Sequence, residues 1–433
     1  MSLMEQQLSA DTQAILLLCG HFGKKSDIKP LTVSEYARLA QWLQIQEMRP
    51  GDLLDTSSAV KIKHIADKTI TAGRLLALLM RGGALALAIE AWSNKGLWVI
   101  SRSDSAYPMR LKKQLGQAAP PIFYGVGEQA LLQKGGVAVV GSRDVDQQII
   151  DFTKLVAKKA AQQRMQIISG GARGVDTEAV LTALIHGGTA VGVLADSLVR
   201  AAVASKYRDA LREERLVLIS PFDPNTGFNV GNAMARNKYV YTLSDWAVVV
   251  NSAYKEGGTW AGAQENLKAE WVPLFVRQDK SMPVGNQELL NQGAIALEQN
   301  RLQDLTDLRE QLSQLADTKP QQVTESKSAD YRHDVETSGC TSVSEQAEID
   351  DDVSEKTIDL FNVVWPTIEQ QLVTDKTEQA LAECLNIEIK QLRLWLKRGL
   401  DMGRIKKLKK PVRYVIVEQD YETQAKEQQS LFG

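Results

Sequence analysis

Two short stretches combine small residues with arginine in a way that suits anion binding. Gly141, Ser142 and Arg143 follow the apolar run Val137–Val140, and Gly170, Gly171, Ala172, Arg173 and Gly174 follow the run that ends at Ile168. Where a strand ends and a helix begins, backbone N–H groups and the helix dipole attract anions, and a missing side chain lets a phosphate come close. Arginine adds a planar fork of donors for phosphate oxygens. Arg236, Asn237 and Lys238 open a helix ahead of the run Trp246–Val250, and Gly257, Gly258 and Thr259 follow Glu256 between another strand and helix. All four stretches are expected at one edge of one sheet, offering cations, amides, a hydroxyl and bare backbone. The spacings G-x-G-x-x-G and G-x-x-x-x-G-K-S/T are absent, which argues against a dehydrogenase-type loop and a P-loop NTPase. His186 is the single histidine between residues 126 and 312, and no Ser/His/Asp or Cys/His set accompanies the loops. The chemistry expected is phosphate binding without bond breaking. No catalytic residue, cofactor or metal ligand is assigned.

Such loops need an α/β sheet to carry them. Val137–Val140, Gln166–Ile168, Ala190–Leu194, Leu216–Ile219, Trp246–Val250 and Val272–Val276 are short apolar strands separated by helical segments. Strands that are apolar throughout and alternate with helices predict a parallel sheet covered on both faces, a doubly wound Rossmann-like domain over 126–312. Ahead of it, 1–70 reads as helical, with Thr32 and Glu35 as a capping box before a face of Tyr36, Leu39, Trp42 and Leu43. Residues 71–125 read as a helical extension, broken at Gly82-Gly83 and ending in a short strand, Leu97–Ile100. The stretch 313–355 is rich in Ser, Thr, Gln and Glu and reads as a flexible linker. Over 356–418, three helices and a hairpin turning at Lys409–Pro411 give the layout of a winged helix, and 419–433 is a polar tail.

Composition limits the function classes. The 433 residues carry 51 Lys+Arg against 53 Asp+Glu, net −2, which excludes a globally basic binder. Cys19, Cys340 and Cys384 lie too far apart for a zinc or disulfide pattern. No apolar run approaches the roughly 18–20 residues of a membrane span, and no signal-peptide layout opens the chain. A cytoplasmic protein without membrane contact is expected.

The ordered series Tyr107–Leu111, Pro120–Tyr124, Val139–Arg143, Ser169–Asp176, Arg236–Lys238, Gly257–Thr259 and Gly285–Ala294 resembles the DprA/Smf DNA-processing proteins over about residues 70–300. The resemblance implies an extended Rossmann fold that binds single-stranded DNA, forms a homodimer through that domain and delivers DNA to a RecA-type recombinase. The Gly257–Thr259 loop also leans toward nucleotide-binding relatives of the fold. An alternative therefore stays open: a nucleotide- or DNA-sensing protein of a phage-defence or toxin–antitoxin module, with a toxin partner and phosphoribohydrolase-like activity. That activity needs a carboxylate beside a ribose, for which Asp176, Glu256 and Glu265 are the candidates.

Two further features lie near the C-terminus. From Asn386 to Arg413 there are ten Lys/Arg and two acidic residues, and Lys390, Arg393, Lys397 and Arg398 fall on the helix that would enter a major groove. The tail holds Gln428, Leu431 and Phe432, similar to short peptides that dock on a bacterial sliding clamp, with Leu-Phe filling an apolar pocket.

Overall fold

The N-terminal helices begin where the chain supplies caps. Helix α1 (Ala10–Cys19) is capped by Ser9, and α2 (Val33–Ile45) by the expected box, with Thr32 N–H donating to Glu35 at 2.8 Å and Glu35 N–H to Thr32 Oγ1 at 3.3 Å. Arg74 Nη1 reaches the same carboxylate at 2.6 Å, tying α2 to α4 (Ala72–Leu79) beyond the short α3 (Ser58–Ile62). Helix α5 (Gly82–Ser93) follows after a bend of 48°. The break falls at Met80-Arg81, and the two glycines form the first turn of α5. Arg81 sets that corner by donating to the carbonyls of Leu17 and Gly20. No single helix among the described residues is long and apolar enough to cross a membrane. The computed structural model describes residues 8–22, 28–304, 307–317, 365, 368–372, 375–385, 389–408 and 413–416. These fall into two units, 1–327 and 328–433.

The first unit is built on a nine-stranded sheet. In chain order it contains β1 (Trp98–Ser101), α6 (Met109–Leu115), β2 (Ile122–Gly127), β3 (Val137–Val140), α7 (Gln147–Gln162), β4 (Ile167–Ser169), α8 (Val175–Ile185), β5 (Ala190–Val193), α9 (Leu198–Ala202), α10 (Ser205–Arg212) and β6 (Leu216–Ser220). Then come α11 (Val230–Thr242), β7 (Trp246–Val249), α12 (Gly257–Ala269), β8 (Leu274–Gln278), α13 (Val284–Asn291), β9 (Ile295–Glu298), α14 (Gln299–Asp304) and α15 (Leu308–Asp317). The strand order is β1-β2-β6-β5-β4-β3-β7-β8-β9, parallel from β6 to β9. The order reverses between β3 and β7, and there the α/β sheet opens a crevice at its carboxyl edge.

Alternation along the strands makes two cores. Val137 and Val139 pack with Phe152 and Val156 of α7 on one face, whereas Ala138 and Val140 pack with Val240 of α11 and Ala263 of α12 on the other. Each fully buried Val, Leu or Ile contributes roughly 1.5–3 kcal/mol. The doubly wound expectation holds, with one correction. Strand β2 lies at the end of the stretch expected as a helical extension, yet it belongs to the sheet, antiparallel between the expected short strand, β1, and β6. Gly125 permits this, because a Cβ there would stand 2.3 Å from the Trp98 ring. Helix α15 also continues to Asp317, so residues 313–317 of the expected linker are helical.

In the second unit, α16 (Glu378–Leu385), α17 (Ile389–Asp401) and the antiparallel hairpin β10 (Ile405–Leu408) and β11 (Arg413–Ile416) stand where the last two helices and the hairpin are expected. Trp365, Leu381, Leu392, Leu396 and Tyr414 form their shared core. Most of the expected first helix lies outside the described residues.

Candidate nucleic-acid interface

A cleft of about 570 Å³ opens at the carboxyl ends of β4 and β5. Its floor is Gly170, Gly171 and Ala172, and its walls carry Arg143, Arg173, Arg200 and Lys206. All four cationic side chains are exposed. The Arg143 guanidinium lies 4.7 Å from the ring centre of Phe228, itself 55% exposed at the cleft. Arg173 pairs with Asp144 at 2.6 Å, but both ends are in water, where such a pair is worth at most about 1 kcal/mol and yields readily to a ligand.

Below the surface, the two arginine-bearing loops are locked together. Asp176, in the first turn of α8, is buried and accepts from the backbone N–H of Ala172 at 3.3 Å and from that of Gly141. Burial pushes its carboxyl above the usual range, while Arg236, at 3.9 Å, pulls it back. Ser142 N–H donates to Asn251 Oδ1 at 2.9 Å. Gly174 turns at φ 85°, where a Cβ would stand 2.4 Å from the Ser142 carbonyl. These backbone donors at the switch point are therefore satisfied by the chain itself. What faces the cleft is a set of cationic side chains.

Arg236 differs from its expected role. Helix α11 begins at Val230 with Asn229 as its cap, so Arg236, Asn237 and Lys238 occupy its second and third turns. The Arg236 guanidinium is 6% exposed and packs against the floor of the cleft, and a Cβ on Gly170 would stand 1.4 Å from its Nη1. Burial lowers its affinity for the proton, yet an arginine stays charged in a protein. Its Nε is buried without a hydrogen-bond partner. A cation this deep supports the loop from beneath.

The remaining expected residues divide. Asn237 donates to the Gly258 carbonyl at 2.8 Å, and Thr259 Oγ1 donates to the Gly141 carbonyl at 2.9 Å, so the Gly257–Thr259 turn braces the β3 loop outside the cleft. Lys238 lies 5.5 Å from the ring centre of Tyr239 and faces Glu265, whose carboxyl burial pushes up and Lys238 pulls down. Glu265 is therefore placed between α11 and α12, two turns beyond the glycines, and Glu256 is exposed at the start of α12. In the second unit, Arg393 pairs with Glu378 at 2.7 Å and Arg398 is exposed. Lys390 and Lys397 lie on the same helix, α17. Gln428, Leu431 and Phe432 lie outside the described residues.

Sequence reading missed Asp196, Arg200, Lys206 and Phe228 as cleft residues. A signal for the first three existed: Asp196, Arg200 and Lys206 fall in the loop and helices that come next after the buried parallel strand ending at Val193, the region where α/β sheets place ligand groups. Phe228 gave none, because a lone aromatic in a polar loop is ordinary.

Residues 98–309 match the profile of the family described as DNA recombination-mediator protein A. The chain is 30% identical to the DNA processing protein DprA of Streptococcus pneumoniae over 156 residues, 36% of this chain and 54% of that protein. It is 24% identical to the DprA of Bacillus subtilis over 172 residues, 39% of this chain and 57% of that protein. The chain thus spans a little over half the length of these curated relatives. The solved structure of S. pneumoniae DprA superposes with a TM-score of 0.52 at 18% identity, covering 70% of this chain and all of that one, which establishes a shared fold. Over residues 98–309, which hold the sheet and the cleft, the chain matches the family described as DNA recombination-mediator protein A and shares the fold of S. pneumoniae DprA.

Proposed function

We propose that this protein binds single-stranded DNA in the cleft at the ends of β4 and β5 and acts in DNA processing and recombination without catalytic turnover. The observation that carries the reading is the convergence of Arg143, Arg173, Arg200 and Lys206 around the exposed Phe228 ring. Cations track phosphates of any sequence, and an aromatic face stacks an unpaired base. A duplex keeps its base faces covered, so an aromatic wall favours a single strand. The absence of histidine and cysteine among the described residues lining the cleft leaves no obvious nucleophile–base pair there. The same reading includes self-association through the α/β domain and delivery of DNA to a RecA-type recombinase; the family resemblance alone supports these two.

The test is fluorescence anisotropy with a labelled thymine oligonucleotide. With about four phosphate contacts, log K should fall by about three per tenfold rise in salt. Arg143→Ala and Arg173→Ala should each weaken binding roughly tenfold, the loss of one charge-assisted contact. Wild-type affinity in both variants would remove the cleft from the assignment.

A further inference from the structure

Asp196 is the one carboxylate among the described residues that line the cleft. It follows β5, is half-buried, and stands among arginines without a hydrogen bond to any described residue. Ser197 beside it adopts a left-handed φ of 54° and donates its N–H to the Thr226 carbonyl at 2.8 Å, which fixes the backbone at this corner. A carboxylate is an odd occupant of a phosphate site. A phosphodiester offers only acceptors, so Asp196 repels it. A base edge offers donors.

The four bases differ in how they meet two carboxylate oxygens. Guanine presents two adjacent donors, N1–H and the 2-amino group, the counterpart of the arginine fork that carboxylates accept side by side. Adenine and cytosine each set one amine beside an acceptor nitrogen. Thymine sets a single N–H between two carbonyls. With these three, the second oxygen of a carboxylate meets an acceptor.

We propose that Asp196 makes the cleft selective for guanine, its carboxylate accepting N1–H and the 2-amino group of an unpaired guanine while the surrounding cations hold the flanking phosphates. The proposal rests on the single-strand reading above and adds a base preference to it.

The experiment is competition against a labelled all-thymine oligonucleotide, using the full chain at fixed salt. The unlabelled competitors are an all-thymine strand and strands of equal length carrying isolated guanines, adenines or cytosines separated by thymines. The guanine strand should compete roughly tenfold better than the other three, the discrimination expected of one bidentate contact. Asp196→Asn and Asp196→Ala should lose the guanine preference while binding the all-thymine strand more tightly, which also shows that both variants fold. Equal competition by all four strands in the wild type, or a guanine preference that survives in both variants, overturns the assignment. Failure of the wild type to bind the labelled strand at all overturns the function proposed above, and this assignment with it.

Discussion

Arg236 is a buried cation beneath the glycine loops, with the Asp176 carboxylate 3.9 Å away. Its charge and its place near the glycine loops are plain from the sequence, but its depth is not, because arginines on helices are ordinarily solvated. The clue lay in its spacing: Val240 and Leu243 follow at four and seven residues, so Arg236 lies on the buried stripe of α11. Removing one member of a buried pair leaves the other uncompensated. Arg236→Gln should therefore destabilise the domain by about 3 kcal/mol. The double variant with Asp176→Asn should recover part of that loss in a double-mutant cycle measured by urea unfolding. Gly170→Ala tests the same packing from above. Its methyl would collide with the guanidinium, and overpacking of this kind costs about 1–3 kcal/mol. Additive losses for Arg236→Gln and Asp176→Asn would show that the two side chains do not communicate.

The elements were legible where a single rule governs them. Strands β3 to β8 announced themselves as short apolar runs, β3 and the run into β4 leading straight to glycine loops, and the capping box of α2 was readable from Thr32 and Glu35. The rule failed at β2 and β9. Strand β2 follows two prolines and contains Gly125 and Gly127, which count against a strand until the Trp98 ring fills the space above Gly125. Strand β9 is a short edge strand of mixed burial, with little apolar pattern to read. The same box supports a pH prediction. Burial alone would raise the Glu35 carboxyl, but hydrogen bonds from Arg74 and Thr32 outweigh it and hold the group below the usual carboxylate range. A depressed carboxyl contributes stability above its unfolded value, near pH 4.3, and loses it as pH falls through the folded value. Thermal unfolding should show the wild type losing stability below about pH 4, with a shallower acid limb in Glu35→Gln. At neutral pH that variant should cost about 1–2 kcal/mol, for a cap and one charge-assisted bond. An identical acid limb in both proteins would place the dependence elsewhere.

At the scale of the whole molecule, two units carry basic surface, and they differ in how it is answered. Arg393 and Arg413 of the second unit pair with Glu378 and Asp375, whereas Arg143, Arg200 and Lys206 have no carboxylate ion-pair partner among the described residues. A chain truncated after Lys327 should therefore keep most of its affinity for the thymine oligonucleotide and lose no more than about one or two units of salt slope. Collapse of binding in the truncated chain would move the principal contact to the second unit. One detail of the sheet has a physiological side. Rossmann-type crevices usually offer their amides to the pyrophosphate of a cofactor, but here the Asp176 carboxylate already holds those of Gly141 and Ala172. The fold thus carries an internal occupant where the cell's nucleotide pool would otherwise compete. Millimolar ATP, with ionic strength matched, should leave oligonucleotide affinity where it was, so a polymer can be captured in the presence of its own monomers.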